Sequence, residues 1–483
     1  MKKKDQIKDL YALGLKYLEK DNLNKSKEIF LKVINLDKTN SNAYSNIGLI
    51  EKKLSNLSKA KENYKKAIYI NKRNYIAYNN LANIYKLTKN YKKAKDCYFK
   101  SIKINSKYLE AYINLALLFE ELGEFSNSIK FYKKVLNIDE NNFEIYLKLS
   151  QLDKSILNKK LEKKIDYSLK KKENRENNID SIYYIKAKFH LLKKEYNKEL
   201  EFLLKAHENY FEKNRNKFSP IMKYWFEFLP KFCNLNFKEI IDEKLSKYKN
   251  LKPIFIIGLP RSGSTVLEKI LISGKNKIIS GEETGIINNI VKKKLISTGS
   301  ISFKDESLST EILENYTDRN IINKKINRFT DKSLENFFFI NLIINIFPHA
   351  KIINCKRDIF SCVISIIKNN LKDLHWAHKI EHIYKYIEIY LDVMNYYKNK
   401  FPEYIYDVSF DDIIHNPNTE LKKIFNFCEI DWDQKCLDFY KQKNLISKTA
   451  SNVEIRKPIY SNIKNYDVYR KFLKPNKLTL KKT

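Results

Sequence analysis

The sequence contains no CxxC pair, because its six cysteines are scattered singly along 483 residues. This spacing argues against zinc and thioredoxin-like motifs, which depend on closely paired thiols, and we expect free thiols in a reducing compartment. No run approaches 18 apolar residues, so no membrane span is expected. The basic N-terminus lacks the continuous apolar core of a signal peptide. These absences predict a soluble, cytoplasmic protein.

Glycine is equally scarce, with nine residues in the whole chain. Five of the nine fall within 28 residues: Gly258, Gly263, Gly274, Gly281 and Gly285. In a chain so poor in glycine, this clustering indicates a backbone that must turn tightly or approach a ligand closely.

Charge is strongly one-sided, with a formal net charge of +35. Such an excess suits an acidic partner, which could be nucleic acid, a membrane surface or an anionic substrate. Drift in composition is the favoured alternative, since lysine is heavily used throughout. No RGG run or nucleic-acid motif accompanies the charge, so we predict no nucleic-acid partner.

A repeat of 34 residues fills the N-terminal third of the chain. It links small and apolar positions in phase: Tyr44, Tyr78, Tyr112 and Tyr146; Ile47, Leu81, Leu115 and Leu149; Ala60, Ala94 and Ser128. A fixed period of this length predicts stacked helical hairpins. The pattern resembles the tetratricopeptide repeat over residues 7–150. The proline that usually closes each unit is replaced by Lys38, Lys72, Ser106 and Glu140, so we expect less sharply set helix ends.

The periodicity changes twice after the repeats. Residues 151–250 indicate degenerate helical repeats that serve as a connector. After Leu251, short apolar runs (IFIIG, KIIS, AKIINCK and YIYDVSF) alternate with helical stretches. Strands that alternate with helices predict a mostly parallel sheet covered on both faces. The predicted fold class is therefore an α-solenoid followed by an α/β domain over residues 251–483.

The stretch IFIIGLPRSGST is similar to a phosphate-binding loop that lacks its lysine. Gly258 and Gly263 frame the loop, a helix is expected to begin near Ser264, and Arg261 lies inside the loop. Backbone N–H groups and the helix N-terminus would hold an anion. The guanidinium of Arg261 suits a tetrahedral oxyanion. A plain tight turn before a helix is the alternative.

The resemblance then extends beyond the loop. PIFIIGLPRSGSTVLEKIL, TDKSLENFFFINLIINIFPHAKIINCKRDIFSCVIS, YDVSFDDIIHNPNTELKKIFNFCEIDWDQKCLDFY and TASNVEIRKPIY follow one another over about residues 252–470. This series resembles sulfotransferases that use 3′-phosphoadenylyl sulfate (PAPS). The bacterial tetratricopeptide-sulfotransferase fusions are similar to it, and tyrosylprotein sulfotransferases more distantly so. The resemblance implies a P-loop-like fold and no metal.

The resemblance also assigns the donor site. The 5′-phosphosulfate would be bound by the loop residues Pro260, Arg261, Ser262, Gly263, Ser264 and Thr265. Arg357 and Ser365 would hold the 3′-phosphate, with pairing of Arg357 to Asp358 or Asp411 as the alternative. The further basic contact expected four residues after Ser365 falls on Asn369.

Catalytic residues follow from the same resemblance. Glu283 is the favoured base for the acceptor hydroxyl, with Glu282 as the alternative, because relatives differ at this pair. Arg261 and Lys332 would stabilise the leaving phosphate, assisted by Ser451. Ser333 and Phe410 depart from the proline and tyrosine that are common in relatives.

Three histidines of LHWAHKIEH (His375, His378 and His382) share the spacing i, i+3 and i+7. A metal or base role is one interpretation, and polar histidines on one helix surface are the favoured one.

The predicted function is transfer of a sulfuryl group from PAPS to a hydroxyl, which could be a tyrosine of a protein or peptide held by the repeat groove. Two alternatives stay open: a repeat scaffold with an inactive or nucleotide-binding-only C-terminal domain, and a kinase or nucleotide triphosphatase.

Overall fold

The computed structural model describes residues 2–170, 178–233, 248–298, 306–323, 325–442, 445–447, 449, 451–459 and 466–473. By its contacts the chain divides into two units. The first comprises Met1–Asn141 with Glu314–Asn320, and the second comprises Asn142–Leu313 with Ile321–Thr483. The domain bounds 7–150, 151–250 and 251–483 stay a prediction, since a division by contacts does not test independent folding.

The first unit consists of four helical hairpins. Their first helices are α1 (Lys2–Glu19), α3 (Ser41–Lys53), α5 (Tyr75–Leu87) and α7 (Leu109–Glu121), and their second helices are α2 (Leu23–Leu36), α4 (Leu57–Ile70), α6 (Tyr91–Ile104) and α8 (Phe125–Ile138). Small residues allow each pair to approach, because a Cβ on Gly48 would come within 2.7 Å of the Tyr64 ring. The predicted solenoid is confirmed.

Helix ends in this unit are sharp although the closing proline is missing. The residue after each second helix is extended, and its side chain accepts a hydrogen bond from the backbone N–H two residues on: Asp37 from Thr39, Asn71 from Arg73, Asn105 from Lys107, and Asp139 from Asn141. These turns end the helix by side-chain bonding instead of by proline. The expectation of less sharply set ends was therefore wrong.

The second unit begins with helices that continue the hairpin pattern. They are α9 (Phe143–Leu152), α10 (Lys159–Lys170), α11 (Ile179–Leu192), α12 (Tyr196–Lys213) and α13 (Arg215–Lys223), followed by a π-helical turn (Tyr224–Phe228) and α14 (Leu229–Phe232). The buried His207 of α12 lies against His378, with 3.0 Å between their Nδ1 atoms. The connector is thus packed on the α/β part of the same unit.

A four-stranded parallel sheet forms the core of the second unit. Its strands are β1 (Ile254–Gly258), β2 (Thr330–Asp331), β3 (Lys351–Lys356) and β4 (Ile405–Ser409), in the order β2-β1-β3-β4. Ile256 pairs with Ile353, and Ile353 pairs with Tyr406. The predicted parallel sheet is confirmed. KIIS does not form a strand: Ile279 makes a single bridge to Phe329.

Helices and aromatic side chains cover this sheet. The helices that follow the strands are α15 (Ser264–Leu271), α16 (Ile286–Thr298), α18 (Ile340–Ile346), α19 (Ile359–Ile367), α20 (Ile380–Lys400), α21 (Phe410–His415) and α22 (Pro417–Phe427). A further helix, α17 (Glu306–Asp318), begins in this unit, and its last residues belong to the first unit. Ile254 and Ile256 share a buried cluster with α15, α21 and α22, whereas Phe255 contacts Phe329 and Phe347. β1 is buried along its whole length, as expected for a strand inside a parallel sheet.

Candidate active site

The strand order places two loops side by side at one edge of the sheet. After β1 the chain moves to β2 on one side, and β3 then lies on the other side of β1. Loops leaving the carboxyl ends of two such strands diverge, and the crevice between them is the usual ligand site of open α/β sheets. The loop 259–263 leaves β1, and Arg357 directly follows β3.

The loop after β1 can adopt its path only with glycine at its two ends. Gly258 has φ +139°, and a Cβ there would come within 2.4 Å of the Cys355 carbonyl oxygen. Gly263 has φ +94°, and a Cβ there would lie 2.1 Å from the Phe410 ring. Phe410 therefore packs directly on the loop, in place of the polar contact that a tyrosine would offer.

Arg261 joins three separate segments of the chain. Its Nε donates to the Ser365 hydroxyl at 3.0 Å, and its Nη1 donates to the Ser451 hydroxyl at 2.7 Å. The Nη1 of Arg357 lies 3.5 Å from the backbone oxygen of Arg261. Four of the sequence-predicted residues thus meet at one point, although they come from positions far apart in the chain.

Arg357 makes neither of the ion pairs that the alternative interpretation required. Among the described residues no ion pair joins it to Asp358 or Asp411, and Asp358 lies 3.5 Å from Arg470 instead. The side chain of Asn369 donates to the Ser365 backbone oxygen at 2.6 Å. Its neighbour Lys368 is bound to Glu199 and to the Tyr469 hydroxyl.

The loop itself offers hydrogen-bond donors to an anion. α15 begins at Ser264, so the N–H groups of its first turn have no acceptor within the helix. Ser262 is 1% exposed, and its hydroxyl has no hydrogen-bond partner among the described residues. Thr265 lies 3.4 Å from the Thr449 hydroxyl, and Pro260 is buried. Unsatisfied donors, a helix N-terminus and two arginines fit a ligand that carries phosphate groups.

A second polar cluster joins the loop 281–285 to β2. Thr284 donates to Asp331 at 2.6 Å, and the Gly285 N–H donates to the Ser333 hydroxyl at 2.8 Å. The Lys332 N–H donates to the Glu282 backbone oxygen at 2.8 Å. Ser333 also uses its own N–H, which donates to Asp331 at 2.8 Å. A proline at that position could not make this last bond.

The two consecutive glutamates of this loop face different surroundings. Glu282 has φ +59° and is 5% exposed, and its carboxylate lies 3.2 Å from the buried Nζ of Lys269. The Glu283 side chain is 49% exposed, and its carboxylate accepts from Lys332 at 2.6 Å. Glu283 alone of the pair is open to solvent and adjacent to the candidate catalytic lysine.

The Lys332 side chain is fully buried beneath Glu283. Burial alone would lower the pKa of its ammonium group, but the carboxylates of Glu283 and Glu268 raise that pKa above its ordinary value. Lys332 is therefore a permanent cation at neutral pH. A buried cation of this kind can stabilise negative charge that develops nearby.

Glu268 was missed at the sequence level, although it holds the second cluster together. One of its carboxylate oxygens accepts from Ser280 at 3.1 Å, from the Glu282 N–H at 2.9 Å and from Thr330 at 2.6 Å. Burial alone would raise its pKa, but Lys269, Lys332 and these hydrogen bonds lower that pKa to about 2. The signal was a charged pair, Glu268-Lys269, inside the otherwise apolar stretch VLEKIL.

The three histidines lie on two different elements. His375 and His378 lie in a 3₁₀ turn (His375–His378), and His382 follows in α20. His378 is 2% exposed, so the favoured interpretation of surface histidines on one helix was wrong. Within the part of the chain that the structure describes, no group of three or more His, Cys, Asp or Glu residues could hold a metal ion.

Comparisons with known proteins agree with this architecture. A model described as Sulfotransferase family matches residues 253–434. Tetratricopeptide-repeat models match residues 10–40, 41–74, 75–108 and 109–142. Over the described residues, no helix combines the length and apolar character needed to cross a membrane.

Individual relatives are distant. An uncharacterized protein of Aquifex aeolicus (strain VF5) is 28% identical over 303 residues, covering 59% of this chain and 39% of that protein. The chain thus spans about two fifths of the length of this curated relative. A solved structure from the functional characterization of Pseudomonas aeruginosa pilF is 15% identical, covers 43% of this chain and 93% of its own, and has a TM-score of 0.36. YrrB, described as a TPR protein with an unusual peptide-binding site, is 20% identical, covers 37% and 91%, and has a TM-score of 0.28. From the family models, this chain carries tetratricopeptide repeats followed by a sulfotransferase-family domain.

Proposed function

We propose that this protein transfers the sulfuryl group of PAPS to a hydroxyl of a protein or peptide, with tyrosine as the favoured acceptor. The observation that carries the proposal is the meeting of Arg261, Arg357, Ser365 and Ser451 at the loop after β1. A donor with phosphate groups at both its 5′ and 3′ positions needs two cationic contacts that one nucleotide can bridge. The sulfotransferase-family domain supports this class of reaction.

The donor would be bound through its two phosphate ends. We assign the 5′-phosphosulfate to the loop Pro260 to Thr265, with the backbone N–H groups of Gly263, Ser264 and Thr265 and the Arg261 guanidinium as donors. The Ser262 hydroxyl, which otherwise has no partner among the described residues, is a further donor. We assign the 3′-phosphate to Arg357 and Ser365. PAPS supplies an activated sulfuryl group, and the protein supplies the orientation of that group and the electrostatic stabilisation.

Glu283 is the proposed general base. Its carboxylate would accept the proton of the acceptor hydroxyl as the new oxygen–sulfur bond forms and the bond from sulfur to the phosphate oxygen breaks. Lys332 and Arg261 would stabilise the negative charge left on the phosphate, with Ser451 holding the Arg261 guanidinium. The exposure of Glu283 supports this choice, because an acceptor can reach it, whereas Glu282 is buried against Lys269.

The repeats are the proposed site for a peptide or protein ligand. Tetratricopeptide arrays present an extended concave surface, which suits a peptide chain better than a small metabolite. We also propose a cytoplasmic location, since all six cysteines are buried free thiols, as expected in a reducing compartment.

Sulfate transfer to a defined probe tests this proposal. The full-length protein would be incubated with PAPS and a random copolymer of glutamate and tyrosine, and sulfation would be measured by mass. We expect transfer by the wild type and none above background by Arg261→Ala. Transfer to sugars but not to the copolymer would contradict tyrosine as the acceptor, although it would still support sulfuryl transfer from PAPS.

Thermal stabilisation separates the remaining alternatives. Adenosine 3′,5′-bisphosphate should raise the melting temperature, and ATP with Mg²⁺ should not, because the loop lacks the lysine that reaches the far phosphates of a triphosphate. Stabilisation by the bisphosphate without transfer to any acceptor would favour a nucleotide-binding scaffold. Stabilisation by ATP with Mg²⁺ alone would favour a kinase or nucleotide triphosphatase.

A further inference from the structure

Positive charge in the repeat unit is concentrated on one layer of helices. The second helices α2, α4, α6 and α8 carry 15 lysines against three acidic residues. The first helices α1, α3, α5 and α7 carry eight lysines against seven acidic residues. The whole chain has 92 basic and 57 acidic residues. A general drift toward lysine would enrich both layers, so the asymmetry argues for a surface with a partner.

The lysines of this layer recur in register. Lys32, Lys66, Lys100 and Lys134 occupy the same position of four successive hairpins, and all four are exposed. Among the described residues only Lys32 has an acidic partner there, Glu28 at 2.6 Å. Stacked repeats place equivalent positions next to one another. The second helices therefore present a row of ammonium groups along the array.

Apolar side chains are exposed in the same layer. The position just before the lysine row holds Leu31 and Phe99, each 45% exposed, in the first and third hairpins. Tyr69, one turn further along α4, is 78% exposed. Single exposed apolar residues need no explanation, but here they lie among lysines on one layer. Lysines mixed with Leu, Phe and Tyr are typical of surfaces that bind the headgroup region of a bilayer.

We propose that the second-helix layer of the repeat unit binds the surface of an anionic phospholipid bilayer. Lysine is the only basic residue type on these four helices, whereas arginine leads in the recognition of nucleic-acid bases. The first helices carry a nearly balanced charge, so we do not expect them to take part in this interaction. The inference does not depend on the proposed enzymatic activity.

Vesicle co-sedimentation of the full-length protein tests the inference. We expect binding to vesicles of phosphatidylglycerol and phosphatidylcholine, little binding to pure phosphatidylcholine, and weaker binding as salt rises. The triple variant Lys66→Glu/Lys100→Glu/Lys134→Glu should lose more than about two orders of magnitude in affinity, because removing each basic residue near the surface costs about a factor of five and each glutamate adds a repulsive charge. Circular dichroism would confirm that this variant keeps its helices, and Lys→Gln changes at the same positions should weaken binding less.

A matched control makes the result specific. Lys231→Glu/Lys422→Glu/Lys435→Glu changes the net charge equally at exposed lysines of the second unit and should bind like the wild type. Tyr69→Ser/Phe99→Ser should weaken vesicle binding at constant charge. The inference is overturned if the wild type does not bind anionic vesicles, or if both triple variants lose binding equally. Tighter binding to duplex DNA or RNA than to vesicles at equal salt would also overturn it, in favour of a nucleic-acid partner.

Discussion

At the scale of single residues, the backbone conformation places the neighbouring Glu282 and Glu283 side chains in different surroundings. The positive φ of Glu282 directs its carboxylate to the buried Lys269, and Glu283 then reaches Lys332. Sequence alone left this pair unresolved, because both residues are acidic and adjacent. Backbone conformation, exposure and anchoring partners separate them, and those partners lie 13 and 49 residues away in the chain.

Replacement of each glutamate by glutamine should therefore give distinct results. Glu283→Gln should lower kcat by about 10²–10⁴-fold, the usual contribution of a general base, with unchanged affinity for adenosine 3′,5′-bisphosphate. Glu282→Gln should lower the free energy of unfolding instead, since it leaves the buried Lys269 less well compensated. Steady-state kinetics and urea titrations measure these quantities. A larger kcat loss in Glu282→Gln would reverse the assignment of the base.

We expect Glu268 to be a positioning residue, because its carboxylate oxygen accepts the Glu282 N–H and so fixes the loop that carries Glu283. In Glu268→Gln, the charge is lost but an oxygen acceptor remains and the pair of Lys269 with Glu282 is kept, so we expect near-normal kcat. In Glu268→Leu, the acceptor is lost as well, and kcat should fall while binding of adenosine 3′,5′-bisphosphate persists. Hydrogen exchange of the Glu282 and Lys332 amides should accelerate in the second variant only. Equal exchange in both variants would contradict the positioning role.

At the scale of elements, the loop after β1 depends on glycine for two reasons. Gly263→Ala would place a Cβ 2.1 Å from Phe410 and strain a backbone of φ +94°, so we expect loss of nucleotide binding. Adding Phe410→Ala removes the clash but keeps the backbone strain of about 1–2 kcal/mol, and should restore binding in part. Calorimetric titration with adenosine 3′,5′-bisphosphate measures both. Full binding by the single variant would show that the loop path is not required.

The contact between α12 and the 3₁₀ turn gives a pH dependence. Burial lowers the pKa of His207 to about 4 and that of His378 to about 3, so both are neutral in the folded unit. The unfolded chain takes up their protons near pH 6.5. The contribution of these two histidines to stability should therefore be full above about pH 6.5 and fall below it, by about 1.4 kcal/mol per pH unit for each histidine. Glu335 acts in the opposite direction over this range, because burial raises its pKa to about 7 and its proton stabilises the folded unit as the pH falls.

Urea midpoints between pH 6.5 and 4.5 measure this slope. His207→Asn/His378→Asn should reduce the slope without abolishing it, because burial also lowers the pKa of His375 to about 4. The exposed His349→Asn should leave the slope as in the wild type. An identical slope in the double variant would assign the acid sensitivity to other groups.

Helices and strands with a strong hydrophobic periodicity could be predicted from the sequence. Features that depend on one or two backbone pairings could not. The 34-residue repeat, β1, β3, β4 and the start of α15 follow from local pattern, because burial imposes that pattern on the sequence. KIIS had the composition of a strand but makes one bridge, and β2 is only two residues long. The Asx turns that replace proline were visible as Asp or Asn at the helix ends, yet their bonding depends on backbone geometry.

At the scale of the whole molecule, the site residues could be proposed from the sequence only through the family resemblance. Arg261 and Ser451 are 190 residues apart, and no local pattern connects them. The charged pair Glu268-Lys269 in an apolar stretch indicates a buried carboxylate, but it does not identify the partners of that carboxylate, which lie 12 to 62 residues away. The net charge is an average over the whole chain, so it does not show that the lysines of the repeats are concentrated on the second helices.

The central claim is that one nucleotide bridges the loop after β1 and Arg357, and calorimetric titration with adenosine 3′,5′-bisphosphate tests it most directly. We expect the wild type to bind this nucleotide and not ATP with Mg²⁺. Arg261→Ala and Arg357→Ala should each weaken binding by about 10–100-fold, the value of a charge-assisted hydrogen bond. Unchanged affinity in Arg357→Ala, or equal binding of ATP with Mg²⁺, would contradict the claim.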